Sequence, residues 1–195
     1  MYKLISKVVC AALLFGTSVF ADSMYATFEG AIVNSQFKPD NFKSDSKTVM
    51  NLGVKVGNIY GHQQAHRAYI GYAFQPRVSK STIEAGVERY SRWRAHKVAL
   101  GYDFAPIVVD NIRAVMGAFV GAAVVDAKAQ ESGGGRVSQK SIDNSIALLY
   151  GFNLGGMFEL DNLNAINFGF KYDNIVLSDA KIENKGFYGG FTHKF

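Results

Sequence analysis

Residues 165–173 read AINFGFKYD. Ile166, Phe168, Phe170 and Tyr172 alternate with Asn167, Gly169, Lys171 and Asp173, the period-2 pattern of a strand with one apolar and one polar face. The apolar side is bulky and the other side carries a glycine and two charges. Which of the two faces meets water decides the fold.

The same alternation recurs along the chain. MYATFEGAI (24–32), MNLGVKVG (50–57), RAYIGYAFQ (67–75), KVALGYDF (97–104), RAVMGAFVG (113–121) and SIALLYGFNL (145–154) precede it, and GFYGGFTHKF (186–195) follows. RAVMGAFVG is the least regular, with Val115 and Phe119 on its nominally polar side. Eight strands are predicted. A weaker alternation in STIEAGVERY (81–90) allows ten. Pro39, Pro76 and Pro106 all fall between predicted strands, because proline lacks the N–H that a ladder requires. The predicted connections alternate in length. Residues 34–47, 76–94, 123–143 and 178–185 are the long set, and 58–65, 106–111 and 161–164 the short set. ESGGGR (131–136) reads as a flexible tip.

Charge placement separates a soluble barrel from a membrane barrel. On the apolar parity of all eight strands His193 is the one acidic or basic side chain. Glu29, Lys55, Arg67, Lys97, Asp103, Arg113, Lys171, Asp173 and Lys194 all take the other parity, among many glycines and alanines. A soluble barrel would need to pack the whole aromatic set inside, and eight strands enclose little volume. An inside-out sheet resolves this, with aromatic residues toward lipid and charges toward a narrow lumen. Closure then satisfies every backbone group where there is no water to do so. The apolar edge of GFYGGFTHKF is covered by lipid on its face and by the first strand along its side.

The N-terminus agrees with export. MYKLISKVVCAALLFGTSVFA (1–21) has Lys3 and Lys7, an apolar run and small residues before a cut expected after Ala21, the pattern of a secretory signal. Cys10, the single cysteine, would leave with it, so the exported domain 22–195 needs no disulfide. Without Lys3 and Lys7 the chain keeps 19 basic against 16 acidic residues, too mild an excess to suggest nucleic acid. The longest later apolar run, AVMGAFVGAAVV (114–125), is too short for a spanning helix.

With its leader, strand endings such as LGYDF (100–104) and FGFKYD (168–173), and terminal Phe195, the whole exported chain resembles the small eight-stranded outer-membrane β-barrel proteins of Gram-negative bacteria, the opacity-protein and OmpA-type group. The resemblance implies an all-β, antiparallel, up-and-down transmembrane barrel in the outer membrane, with both chain ends periplasmic. It also implies that the last strand, through Phe187, Phe191 and Phe195, is read by the outer-membrane insertion machinery. His193 and Gly189 depart from that pattern.

Three functional readings follow. A structural or surface-interaction role carried by the external loops is favoured. In ERYSRWRAHK (88–97), Arg89, Arg92 and Arg94 interleave with Tyr90 and Trp93, and arginine suits the phosphates of lipopolysaccharide. The same stretch also fits an aromatic girdle with a solvated charged rim. The second reading is a narrow anion-preferring channel, since the lumen charges are mostly basic. The expectation is instead a plugged lumen, with Asp103 bridging Arg67 and Arg113 near the periplasmic mouth, because unpaired charges are costly in a narrow interior. The third is an outer-leaflet lipid-modifying enzyme. His62, His66, His96 and His193 offer no base–nucleophile pair, and neither a metal nor a cofactor is expected.

Overall fold

The computed structural model describes residues 23–84, 86–133 and 136–195. The leader expected over 1–21, with Cys10, lies outside the described residues, as do positions 134 and 135 of the expected flexible tip. Strands β1 (Ser23–Pro39), β2 (Asp45–Tyr60), β3 (His66–Glu84), β4 (Val87–Phe104), β5 (Ile107–Val109), β6 (Ile112–Gly133), β7 (Arg136–Glu159), β8 (Asn164–Val176) and β9 (Ala180–Lys194) follow one another. They form one antiparallel sheet ordered β4-β3-β2-β1-β9-β8-β7-β6-β5, and β4 pairs with β6 to close it. Eight long strands therefore make a closed barrel, and β5 is a three-residue strand beside β6.

The ten-strand alternative is overturned. STIEAGVERY contributes the end of β3 and the start of β4, and Gly86, just before β4, takes φ 77°. The expected long connections are also mostly strand. Residues 76–84, 87–94, 123–133 and 136–143 continue the ladders of β3, β4, β6 and β7, and 180–185 belong to β9.

These ladders do not all reach the same height. Pairing of β2 with β3 stops at Leu52 opposite Phe74, just before the irregularity between Gln75 and Val78 that contains Pro76. Pairing of β7 with β8 stops at Leu148 opposite Val176. Beyond those points β3, β4, β6 and β7 stay paired, as far as Glu88 opposite Ser132 and Gly133 opposite Arg136. The end of the barrel remote from the chain termini thus carries a four-stranded wall on one side.

Around the half nearer the termini, the outward residues are large and apolar. Phe28, Ile32, Leu100, Met116, Phe168, Phe187 and Phe191 are all exposed, as the alternation predicts. Charges and tyrosines point inward there. Lumen glycines make the necessary room. A Cβ on Gly101 would lie 2.2 Å from Cζ of Tyr69, and one on Gly151 would lie 2.5 Å from Cζ of Phe119.

In the remote half the sense of the alternation inverts. Inward residues become apolar: Phe37, Val78, Trp93, Ala123, Val125, Ala127, Leu149, Ile175 and Ile182 form one buried cluster spanning both sides of the barrel. Outward residues become polar, as with Asn34, Gln36 and Lys38 on β1 and Asp126, Lys128 and Gln130 on β6. Above the apolar belt the barrel is built as a soluble sandwich would be, with its greasy face inside.

Candidate functional site

Two surfaces carry the chemistry: the lumen and the outward face of the four-stranded wall. In the middle of the lumen, Glu29 on β1 receives Lys55 Nζ at 2.9 Å from β2 and a short contact from Lys171 on β8. A second cluster joins Lys97 on β4 to both oxygens of Asp173 on β8, at 2.8 and 3.0 Å, and Asn184 on β9 donates to Asp173 at 2.7 Å. Glu29, Lys97 and Asp173 are buried and Lys55 and Lys171 mostly so, and their charges are stabilised chiefly by each other rather than by water. Lys55 also lies over the ring of Tyr69, 4.9 Å from its centroid. A cavity of about 50 Å³ touches Lys55, Lys97, Lys171, Glu29 and Asp173, and a second of about 20 Å³ lies beside Arg67 and Tyr25.

Toward the termini the arrangement departs from expectation. Arg67 and Asp103 are register partners on β3 and β4, yet among the described residues Asp103 forms no ion pair. Its carboxylate instead accepts from Asn153 Nδ2 at 3.2 Å. Arg67 stacks over Tyr25, 5.6 Å from the ring centroid, and its Nε and Nη2 are buried without a hydrogen-bond partner. Arg113 turns away to Glu159, at 3.1 Å, and Lys194 reaches the same carboxylate at 2.7 Å. Arg113 also donates to the carbonyls of Gln63 and Ala105, which ties the β2–β3 turn across the mouth. Asp103 is therefore not the bridge between the two arginines. Glu159 pairs with Arg113, and parity counted onward from Asn153 would have found it.

The far end of the lumen holds the other surprise. Trp93, read from the sequence with an outward basic cluster, is fully buried inside. It stacks on Phe37 at 5.7 Å, and its Nε1 donates to Ser35 at 2.9 Å, as does Gln75 Nε2. The signal for this was its even spacing from Lys97, which shares the inward parity. The basic cluster accordingly divides. Arg89 shares Trp93's parity and pairs with Glu84 at 2.6 Å and Glu131 at 3.1 Å. Arg92 and Arg94 face outward. Arg94 pairs with Asp126 across the strand at 3.0 Å, while Arg92 sits opposite Lys128. Arg77, exposed at the β3 irregularity, and Lys128 complete an outward basic band that sequence reading found only in part.

Histidines mark the two rims of the apolar belt. His66 Nδ1 lies 2.5 Å from the Tyr102 hydroxyl, and His96 Nδ1 lies 2.8 Å from that of Tyr72. His193 bonds Asn164 and stacks edge-on with Phe195. The backbone N–H of Phe195 donates to Met24, and Phe187, Phe191 and Phe195 all project outward. In the turn after β7, the Asp161 carboxylate accepts from the N–H groups of Leu163 and Asn164 and from the Asn164 side chain.

No family model matches the chain, and no curated protein matches it. Solved structures do. The attachment invasion locus protein Ail of Yersinia pestis is 18% identical with TM-score 0.52, covering 88% of this chain and 98% of Ail. Neisserial surface protein A is 11% identical with TM-score 0.55, covering 88% and 97%. The outer membrane protease OmpT of Escherichia coli is 7% identical with TM-score 0.50, covering 92% and 99%. Likenesses at such identities concern the fold. The chain is a closed eight-stranded antiparallel barrel with the fold of the small outer-membrane β-barrel proteins.

Proposed function

We propose that the chain is an integral outer-membrane barrel with a closed lumen, whose four-stranded wall works at the cell surface and holds the phosphates of lipopolysaccharide. One observation carries this reading: an uncharged aromatic belt gives way, on the wall's outward face, to Arg77, Arg92, Arg94 and Lys128, with Asp126 as the neighbouring acid. Arg92 and Lys128 lie side by side without an ion-pair partner among the described residues, flanked by Ser79 and Ser141 in the same row. Charge-assisted hydrogen bonds from such a row suit phosphate oxygens. Phe187, Phe191 and Phe195 serve insertion by the outer-membrane machinery, and the chain ends face the periplasm.

The test is retention of lipopolysaccharide by protein extracted in mild detergent. R92Q and K128Q should each lower the bound amount severalfold, and R89Q, whose guanidinium is held by two carboxylates, should not. Equal loss from all three, or from none, would remove the proposed contact.

The channel reading retains one supporting feature, the excess of Lys55, Lys97 and Lys171 over Glu29 and Asp173 around the larger cavity. In planar bilayers the closed-lumen reading expects little conductance, and steady anion-selective channels would reverse it. The enzyme reading has less support: His66, His96 and His193 are hydrogen-bonded to Tyr102, Tyr72 and Asn164 and not to a carboxylate.

A further inference from the structure

The belt of outward apolar residues does not stop where the strands stop. In the β4–β6 connection, Ile107, Val108 and Val109 are all exposed, Val108 at 62%. In the β7–β8 turn, Leu160 and Leu163 are exposed at 50% and 49%. The two connections are one surface: Glu159 N donates to the Asn111 carbonyl at 2.8 Å, and Asn111 Nδ2 returns to the Glu159 carbonyl at 3.2 Å. Both are ordered by their own hydrogen bonds, Ala114 N to Pro106 O on one side and the Asp161 carboxylate to Leu163 N and Asn164 N on the other.

Turns between strands are ordinarily polar, because their backbone groups need water. The β2–β3 turn obeys, with His62, Gln63 and Gln64 at its tip. Five exposed aliphatic residues in two adjacent turns need a cover. Their register names it. Val109 pairs with Ile112, Ile112 with Phe158, Phe158 with Ile166, and Ile166 with Phe191, so through Val109 the patch joins the lipid-facing row. It also lies beside the residues that border the belt at this end, Phe104 and Phe158.

We infer that the β4–β6 and β7–β8 turns are embedded in the periplasmic leaflet, with Val108, Leu160 and Leu163 against phospholipid at the boundary between acyl chains and headgroups. The contact is lopsided. On the β2–β3 side the membrane ends at the strand ends, and on the β5–β8 side it extends over the turns, so the barrel stands tilted toward β5. A periplasmic protein docked on the patch is the competing occupant, but it would have to displace lipid already continuous with the row.

This inference rests on the outer-membrane reading, and the experiment separates the two. V108W and F168W are each reconstituted as the full chain in phosphatidylethanolamine–phosphatidylglycerol vesicles, with wild-type protein giving the baseline of buried Trp93. F168W reports the middle of the belt. V108W should add blue-shifted emission that is lost in lipids brominated near the headgroup end of the acyl chain and is insensitive to aqueous acrylamide. Red-shifted V108W emission, quenched by acrylamide and untouched by brominated lipid, would overturn the embedded turn while F168W stays lipid-quenched. Failure of lipid to quench F168W would instead overturn the membrane reading itself.

Discussion

One barrel contains two opposite constructions. Near the termini, Lys55, Lys171 and Glu29 are inside and Phe28, Phe168 and Phe191 are outside. Beyond Leu52 and Phe74, Trp93, Phe37 and Val125 are inside and Arg92, Lys128 and Gln36 are outside. The backbone ladder is the same in both halves and only the surroundings of the outer face differ. Lipid rewards apolar side chains on the outside, which leaves the inside to charges that neutralise one another. Water rewards polar side chains outside and returns the inside to ordinary hydrophobic packing. A strand can thus pass from an apolar-faced to a polar-faced exterior without a break, by exchanging the roles of its faces.

The largest effect is expected at Glu29. Glu29→Ala leaves Lys55 and Lys171 buried without their shared carboxylate, and removing one partner of a buried pair costs about 3–5 kcal/mol. Urea unfolding in lipid vesicles should show the largest loss of the series, and Glu29→Gln should recover only part of it. In the other half, Trp93→Ala empties the centre of an apolar cluster, at about 3–5 kcal/mol for a buried aromatic. The loss should lie toward the lower figure, because Ser35 and Gln75 would face the hole and allow water to enter. A cost from Trp93→Ala well above that of Glu29→Ala would mean that the apolar plug, not the ion cluster, dominates the interior.

The outer faces provide the next contrast. Phe168→Arg puts a charge on the lipid face and should cost about 2–4 kcal/mol near mid-belt. Gln130→Arg, on the outward face of the remote half, should change stability little by the same measurement. Equal penalties would mean that both halves meet the same solvent. The smallest effect belongs to Asp103. Among the described residues it pairs with Asn153 and with no cation, so Asp103→Asn should cost about 1 kcal/mol, the worth of a hydrogen bond rather than of an ion pair. A loss as large as that at Glu29 would restore Asp103 as the link between Arg67 and Arg113.

Much of this was legible in the residues. Alternation in AINFGFKYD and its seven counterparts placed every barrel strand, and the one-sided distribution of charge identified the inside-out half. Inward parity also selected Glu29, Lys55, Lys97, Lys171 and Asp173 before any distance was known. Partner choice was not legible, because parity places a side chain in the lumen without saying how far across it reaches. Lys171 crosses to Glu29 from β8, and Arg113 prefers Glu159 to Asp103.

The strands run past their expected ends for a related reason. AVMGAFVGAAVV is the longest apolar run after the leader because Val120 and Val124 face outward while Ala123 and Val125 face inward. It is the segment in which the outward apolar series ends and the inward one begins. The strand period, the inside-out half of the barrel and most of its lumen charges, Glu159 excepted, were readable from the residues, since these depend on side-chain character at fixed spacing. Tertiary structure alone decided that Trp93 meets Phe37, that Arg89 is held by Glu84 and Glu131 and that four strands outrun the others. Each of these depends on what stands across the barrel, and a one-dimensional period carries no information about that.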